Sequence, residues 1–293
     1  MSQMAAKLLT LTLLLTLVNC RTYTPHHKKV YYTAQQRYMA LLPTVQDQNG
    51  FVDIDHCDSL LHTALISVIK GTNIDLTAAE VAPGKWLRRP ADYPECFRSG
   101  ESRSTISRDM ILGVIWSATA NKDLAMLERL WAYGADNAWI MGMPFYHTIL
   151  NPNMVSLLAR AIEKLGGPNY IENKIPLTFG DCAGYVCHLT ALQIALYGYI
   201  EGDLSSGQVD ILKELVDKAP NNVLMQALYH KYTDGDYSAV GQLLSKYPKD
   251  RLPTNLDWCD EWPVQRTEIS LPCDTPKQHS GGELLFTLWL IAS

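Results

Sequence analysis

The pattern that most restricts this chain is a helical hairpin that recurs three times. Residues 110–120 are apolar almost throughout. They are followed by Asn121-Lys122-Asp123 and then by 124–133, which Gly134 closes. Residues 191–200 lead through Glu201-Gly202-Asp203 into 208–218, and 223–232 lead through Asp234-Gly235-Asp236 into 237–247, closed by Pro248. Each unit is an apolar helix, a short turn carrying Asp, and a more amphipathic helix, and apolar residues recur with a helical period. Residues 151–165 add another long helix. The units share no fixed sequence period, which disfavours a regular solenoid. The chain is therefore predicted to be all-α.

Elsewhere the local signals are shorter. A first helix is expected over 34–42, ending before Pro43, and Asn49-Gly50 marks a turn. The acids around that turn suggest a calcium loop, but the glycine and terminal glutamate of an EF-hand are missing. A helix begins at Asp55 with Leu60, Leu61, Ala64, Leu65 and Val68 on one face. Asp55 and Asp58 imitate a capping box with a shorter acid. Residues 73–80 read as a short helix, 83–90 as loop or short strand, and 174–179 as a short strand. Trp86 beside Arg88 and Arg89 suits a binding surface better than a core. The last apolar run, 284–291, is too short to span a bilayer and reads as a closing core helix.

The most polar stretch runs from Cys96 to Met110 and enters the first hairpin. Ser107 is a suitable N-cap, which puts Arg108 and Asp109 in the first helical turn, where backbone N–H groups lack helical partners. A carboxylate there complements the helix dipole by about 0.3–1 kcal/mol, so capping alone accounts for Asp109. The alternative is that an arginine-rich loop with a placed carboxylate forms the mouth of a ligand site.

The N-terminus points to export. Lys7 precedes an apolar run over residues 8–18, which is too short for a membrane span but suits a signal-peptide core. The run ends Leu17-Val18-Asn19-Cys20, which resembles the lipobox of bacterial lipoproteins, although Asn19 departs from the usual small residue before the cysteine. The resemblance implies lipidation at Cys20 and a bacterial cell-envelope location, anchored to a membrane facing the periplasm or exterior. Ordinary cleavage after Cys20 is the competing reading, and it also exports the chain. The expected organisation is a signal peptide over 1–19, a tether over 20–33 and one helical domain over 34–293. Six further cysteines remain, Cys57, Cys96, Cys182, Cys187, Cys259 and Cys273, an even number that suits disulfides in an exported chain. Proximity favours Cys182–Cys187 and Cys259–Cys273, leaving Cys57–Cys96. No pair has the tight spacing of a zinc knuckle, so no metal and no other cofactor is expected.

Helical hairpins with long polar loops resemble the (α/α) toroids of carbohydrate-active enzymes. Ser107-Arg108-Asp109-Met110 with Gly113, preceded by Trp86 and Arg88-Arg89-Pro90, carries that resemblance best. It implies a toroid or incomplete barrel whose loops are tied by disulfides. In that superfamily, acids at inner-helix starts line a glycan cleft with Trp, Tyr and Arg. Glycoside hydrolysis needs two carboxyl groups roughly 5–10 Å apart. Asp58 and Asp109 are the candidate pair, with Asp53 and Asp55 in reserve. Trp86 would be a stacking platform, and Arg88, Arg89, Arg103 and Arg108 would contact anionic or hydroxyl groups. A lyase would use Tyr185, His188 or His147 as base. Two tryptophans among the acids of 257–263 form a possible cleft rim or a disulfide-closed surface loop.

A net charge of −5, with no basic run beyond His26-His27-Lys28-Lys29, argues against nucleic acid as partner. The expected partners are a glycan or envelope polysaccharide and, through the lipid, a membrane. The rival reading is a non-catalytic lipoprotein, a helical module whose loops hold a protein partner.

Overall fold

Helix α2, Arg108–Asn121, is buried along nearly its whole length, from Asp109 to Thr119. A helix apolar on every side needs neighbours on every side, and α2 packs against four helices. These are α1 (Ser59–Ile66), α3 (Leu124–Asp136), α4 (Pro152–Lys164) and α5 (Val186–Glu201). Three more follow: α6 (Ser206–Lys218), α7 (Val223–Thr233) and α8 (Ser238–Ser245). The computed structural model describes residues 36, 39–40, 42–43, 46–52, 59–72, 74–90, 106–142, 148–172, 177–179, 186–218, 222–233, 235–245, 286–287 and 289–291.

The described residues are mostly helical with little strand, as the sequence predicts. The strand content of the described residues is two antiparallel two-stranded hairpins. In one, β1 (Glu80–Ala82) pairs with β2 (Lys85–Trp86), and in the other β3 (Ile140–Gly142) pairs with β4 (Thr148–Ile149). The expected short helix over 73–80 is a single 3-10 turn, Leu76–Ala79, capped by Asp75 and running directly into β1.

The three hairpin units keep the order read from the sequence. Helices α2, α5 and α7 are the more deeply buried partners, and α3, α6 and α8 each expose one side. The turn acids act as caps. The Asp123 carboxylate accepts from Met126 N at 2.9 Å, and that of Asp236 accepts from Ser238 N at 2.9 Å. Ser205 and Gln208 bond reciprocally at the start of α6, as a capping box does. Lys122 closes α2 in the left-handed conformation, with φ 60°.

Two expectations are corrected. Gly134 does not close α3, which continues to Asp136. Its missing side chain is used for packing instead, because a Cβ there would lie 2.6 Å from the Trp139 ring. Ser107 occupies the N-cap position of α2 with extended backbone, but its side chain makes no capping hydrogen bond.

The main core joins α1 through α7 and takes in Phe286 and Leu290 near the C-terminus. Trp116 meets Phe286 edge-on at 4.8 Å, and Lys231 Nζ donates to the Leu290 carbonyl at 2.9 Å. The closing run thus docks as a core helix. A second cluster, including Leu42, Val52, Ile66, Val223 and Val240, joins the end of α1 to α7 and α8. No helix of the described residues is long and apolar enough to cross a membrane.

Candidate functional site

Helices α1 and α2 run parallel. A Cβ at Gly113 would lie 3.2 Å from the Ala64 Cβ and 3.3 Å from Leu61 Cδ1. Further along, the Ser67 and Ser117 hydroxyls are 2.5 Å apart, and Asn121 Nδ2 donates to the Ser67 carbonyl at 3.4 Å. Both sequence numbers rise together. Carried back by one helical turn from the Gly113 contact, the same register sets Ser59 level with Asp109. The two helix starts therefore lie at one end of the pair. Gly113 permits this approach because it offers no side chain between the helices.

Each start is held by a different hairpin. Leu60 N, in the first turn of α1, donates to the Arg88 carbonyl at 2.9 Å, just after β2. Ser59 Oγ donates to the Val52 carbonyl, and Val52 N donates to Thr63 Oγ1 at 3.1 Å. At α2, Thr148 Oγ1 of β4 donates to the Ile106 carbonyl. A Cβ at Gly142 of β3 would stand 3.3 Å from the Ile106 backbone N and O.

Asp109 lies in the first turn of α2 and is 1% exposed. Unpaired N–H groups and the helix dipole make that turn a favourable place for negative charge. Arg108, beside it, is exposed. Arg89 is buried and Arg88 half-buried, on the segment that holds α1. Trp86 departs from the surface position expected for it: it is 1% exposed and belongs to the main core. Alternation along β2 explains this, since Lys85 faces outward and Trp86 inward.

Several named residues lie outside the described set: Asp53, Asp55, Asp58, Arg103, His147, Tyr185, Cys20, Cys57, Cys96, Cys182, Cys259 and Cys273. Cys187 and His188 belong to α5, with side chains outside that set. The disulfide pairing and the Asp58–Asp109 separation fall there too. Among the described residues, no three His, Cys, Asp or Glu side chains converge as metal ligands.

The first hairpin is anchored electrostatically. Glu80 accepts two hydrogen bonds from Arg129 of α3, at 2.8 and 2.7 Å, and a third from Gly84 N at 2.8 Å. Burial works to raise the Glu80 carboxyl, but the Arg129 and Gly84 hydrogen bonds and the Arg129 charge outweigh it and hold the group below its ordinary value.

A second surface feature escaped the sequence reading. Trp131 stacks on Tyr170 with centroids 4.4 Å apart, and Trp139 meets Trp131 edge-on at 4.8 Å. The usable signal was Gly134, set three residues after Trp131 and five before Trp139.

No protein-family model, no curated protein and no solved structure matches the chain.

Proposed function

We propose that this chain is an exported, lipid-anchored protein of a bacterial cell envelope, and that its helical domain binds or hydrolyses a glycan. In this reading the domain is an (α/α) toroid or incomplete barrel. Helices α2, α5 and α7 are inner, α3, α6 and α8 are outer, and disulfides tie the loops. Export and anchoring rest on the apolar run over 8–18 and on Cys20. The several acyl chains of a lipoprotein suffice for stable attachment where a single chain does not.

The observation that carries the glycan reading is the parallel packing of α1 and α2 about Gly113, which draws two helix starts to one end of the molecule. Asp109 stands at one of them, and Arg88 and Arg89 adjoin the other. Such an end supplies carboxylate and guanidinium groups on rigid elements. Burial of Asp109 at 1% counts against it as the catalytic acid, which has to reach the glycosidic oxygen.

The test uses full-length protein, incubated with peptidoglycan, a storage glucan and an anionic polysaccharide, and scored for retention and for new reducing ends. Retention without cleavage is the expected result. Cleavage by wild type that Asp109→Asn abolishes would make the protein a hydrolase, while equal cleavage by that variant removes Asp109 from the chemistry. Failure to retain any of the three overturns the glycan reading and leaves the protein-binding module. Labelled palmitate should enter wild type and not Cys20→Ser.

A further inference from the structure

The aromatic cluster beyond the end of α3 carries an inference that rests on the glycan reading and narrows it. Its three rings come from three segments: Trp131 from α3, Trp139 from the turn after α3, and Tyr170 from the segment after α4. Tyr170 is 41% exposed, and Trp131 and Trp139 are half-buried. The cluster is thus an aromatic surface held in register by its own stacking.

Two features unfavourable to folding both serve to seat Trp139. Ala138 and Trp139 are consecutive residues with φ of 53° and 62°, left-handed backbone that a bulky side chain rarely adopts. Each costs about 1–2 kcal/mol relative to ordinary backbone. Gly134 lies within α3, where glycine costs about 1 kcal/mol relative to alanine. Its lack of a Cβ is what lets the Trp139 ring lie on the helix, with Cε3 and Cζ3 each 2.6 Å from where that atom would stand. A tryptophan serving only as filler needs neither feature. Strain kept at a partly exposed ring is characteristic of sites that hold a ligand.

The surrounding chemistry selects the occupant. Residues 131–139 and 166–172 include Asp136, Asn137, Asn169 and Glu172, and no Lys or Arg. Within those described residues an anionic sugar or a nucleic acid finds no countercharge. Carboxylates and amides instead suit hydroxyl groups, as acceptors and donors. The Trp131–Tyr170 pair lies nearly parallel, at 11°, and closed face to face, so it forms no cage around a cation. What remains is the outer face of Tyr170, backed by Trp131 and 41% exposed, with hydroxyl-binding groups nearby in sequence, which matches an uncharged pyranose ring. The three residues of β3, at about 3.3 Å each, separate this cluster from the start of α2 by roughly 10 Å. That distance lies within reach of one short oligosaccharide.

We propose that Tyr170, held flat by Trp131 and Trp139, forms a stacking subsite for an uncharged pyranose ring of a glycan, at the outer end of the hairpin that holds the start of α2. The test is calorimetric titration of the full-length protein with chitotetraose, cellotetraose and maltotetraose, with tetragalacturonate and choline as charged probes. Wild type should bind at least one neutral tetramer more tightly than either charged probe. Tyr170→Ala should weaken that binding by roughly tenfold, and Tyr170→Phe, which keeps the ring, should stay within about twofold. Tyr170→Leu, which keeps bulk without an aromatic face, should behave like Tyr170→Ala, and it covers the case in which truncation lowers stability. If wild type binds none of the four sugars, the glycan reading falls together with the subsite. If wild type binds and both the Ala and Leu variants bind equally well, the subsite alone falls. Tightest binding to tetragalacturonate or to choline overturns the uncharged class.

Discussion

The two β-hairpins perform similar tasks by opposite means. Each fastens one helix start: the segment after β2 holds α1 through the Arg88 carbonyl, and β4 holds α2 through Thr148. The β1–β2 hairpin is clamped to α3. Glu80 grips Arg129 with both oxygens, and the backbone at Gly84 comes so close to α3 that a Cβ would lie 2.1 Å from the Arg129 carbonyl oxygen. The β3–β4 hairpin has no such clamp among the described residues. It leaves α3 through two left-handed residues and carries exposed Ile149 next to half-buried Trp139. One hairpin is built to stay, and the other keeps strain at a surface where rings are displayed. The contrast sets a clamped face of α3 apart from a face that displays aromatic rings.

Breaking the clamp should have the largest effect. Gly84→Ala meets backbone rather than a movable side chain, and it forces a Cβ onto φ +73°. It should destabilise the protein by about 3–4 kcal/mol, read from chemical denaturation. Glu80→Gln removes the charge from a part-buried bidentate pair whose arginine is 35% exposed, and with that screening it should cost about 1–2 kcal/mol at neutral pH. Its pH dependence follows from the depressed carboxyl. The folded group sits below its ordinary 4.5, so the stabilisation is complete above that value and is lost as pH falls through the folded value. The gap between wild type and Glu80→Gln should therefore close in acid. A gap that is constant with pH would show that the carboxylate charge is not what clamps the hairpin.

The second hairpin should respond less. Thr148→Val keeps the shape but strips the hydrogen bond from the Ile106 carbonyl, for about 1–2 kcal/mol. Ala138→Gly should go the other way: it relieves left-handed strain and stabilises by roughly 0.5–1 kcal/mol, visible as a small rise in Tm. A loss of stability in that variant would mean that Ala138 is not strained, and the contrast between the hairpins would narrow.

Much of the helical framework was legible in the residue order, because its causes are local. Helix α2 is apolar at nearly every position from Met110 to Ala120, and such a helix has to be central. Asp123 and Asp236 cap helices from within two or three positions. Asn49-Gly50 turns as expected, with Asp47 Oδ1 accepting from Asn49 N and Phe51 N. Where packing rather than local pattern decided, the reading failed. Gly134 resembles a helix stop, yet it accommodates the Trp139 ring, and Ser107 resembles a cap yet its side chain makes no capping hydrogen bond. Trp86 beside two arginines resembles a surface, but strand alternation turns it into the core.

Of the candidate site, the residue order identified Asp109 and its position in the first turn of a helix. It had no means of aligning that turn with the start of α1. That alignment depends on Ala64 meeting Gly113 and Ser67 meeting Ser117, contacts between residues about fifty apart that no local pattern encodes. Periodicity and capping act within a few residues and are written along the chain. The parallel helix starts and the clamp on one hairpin arise only when distant segments compete for the same space.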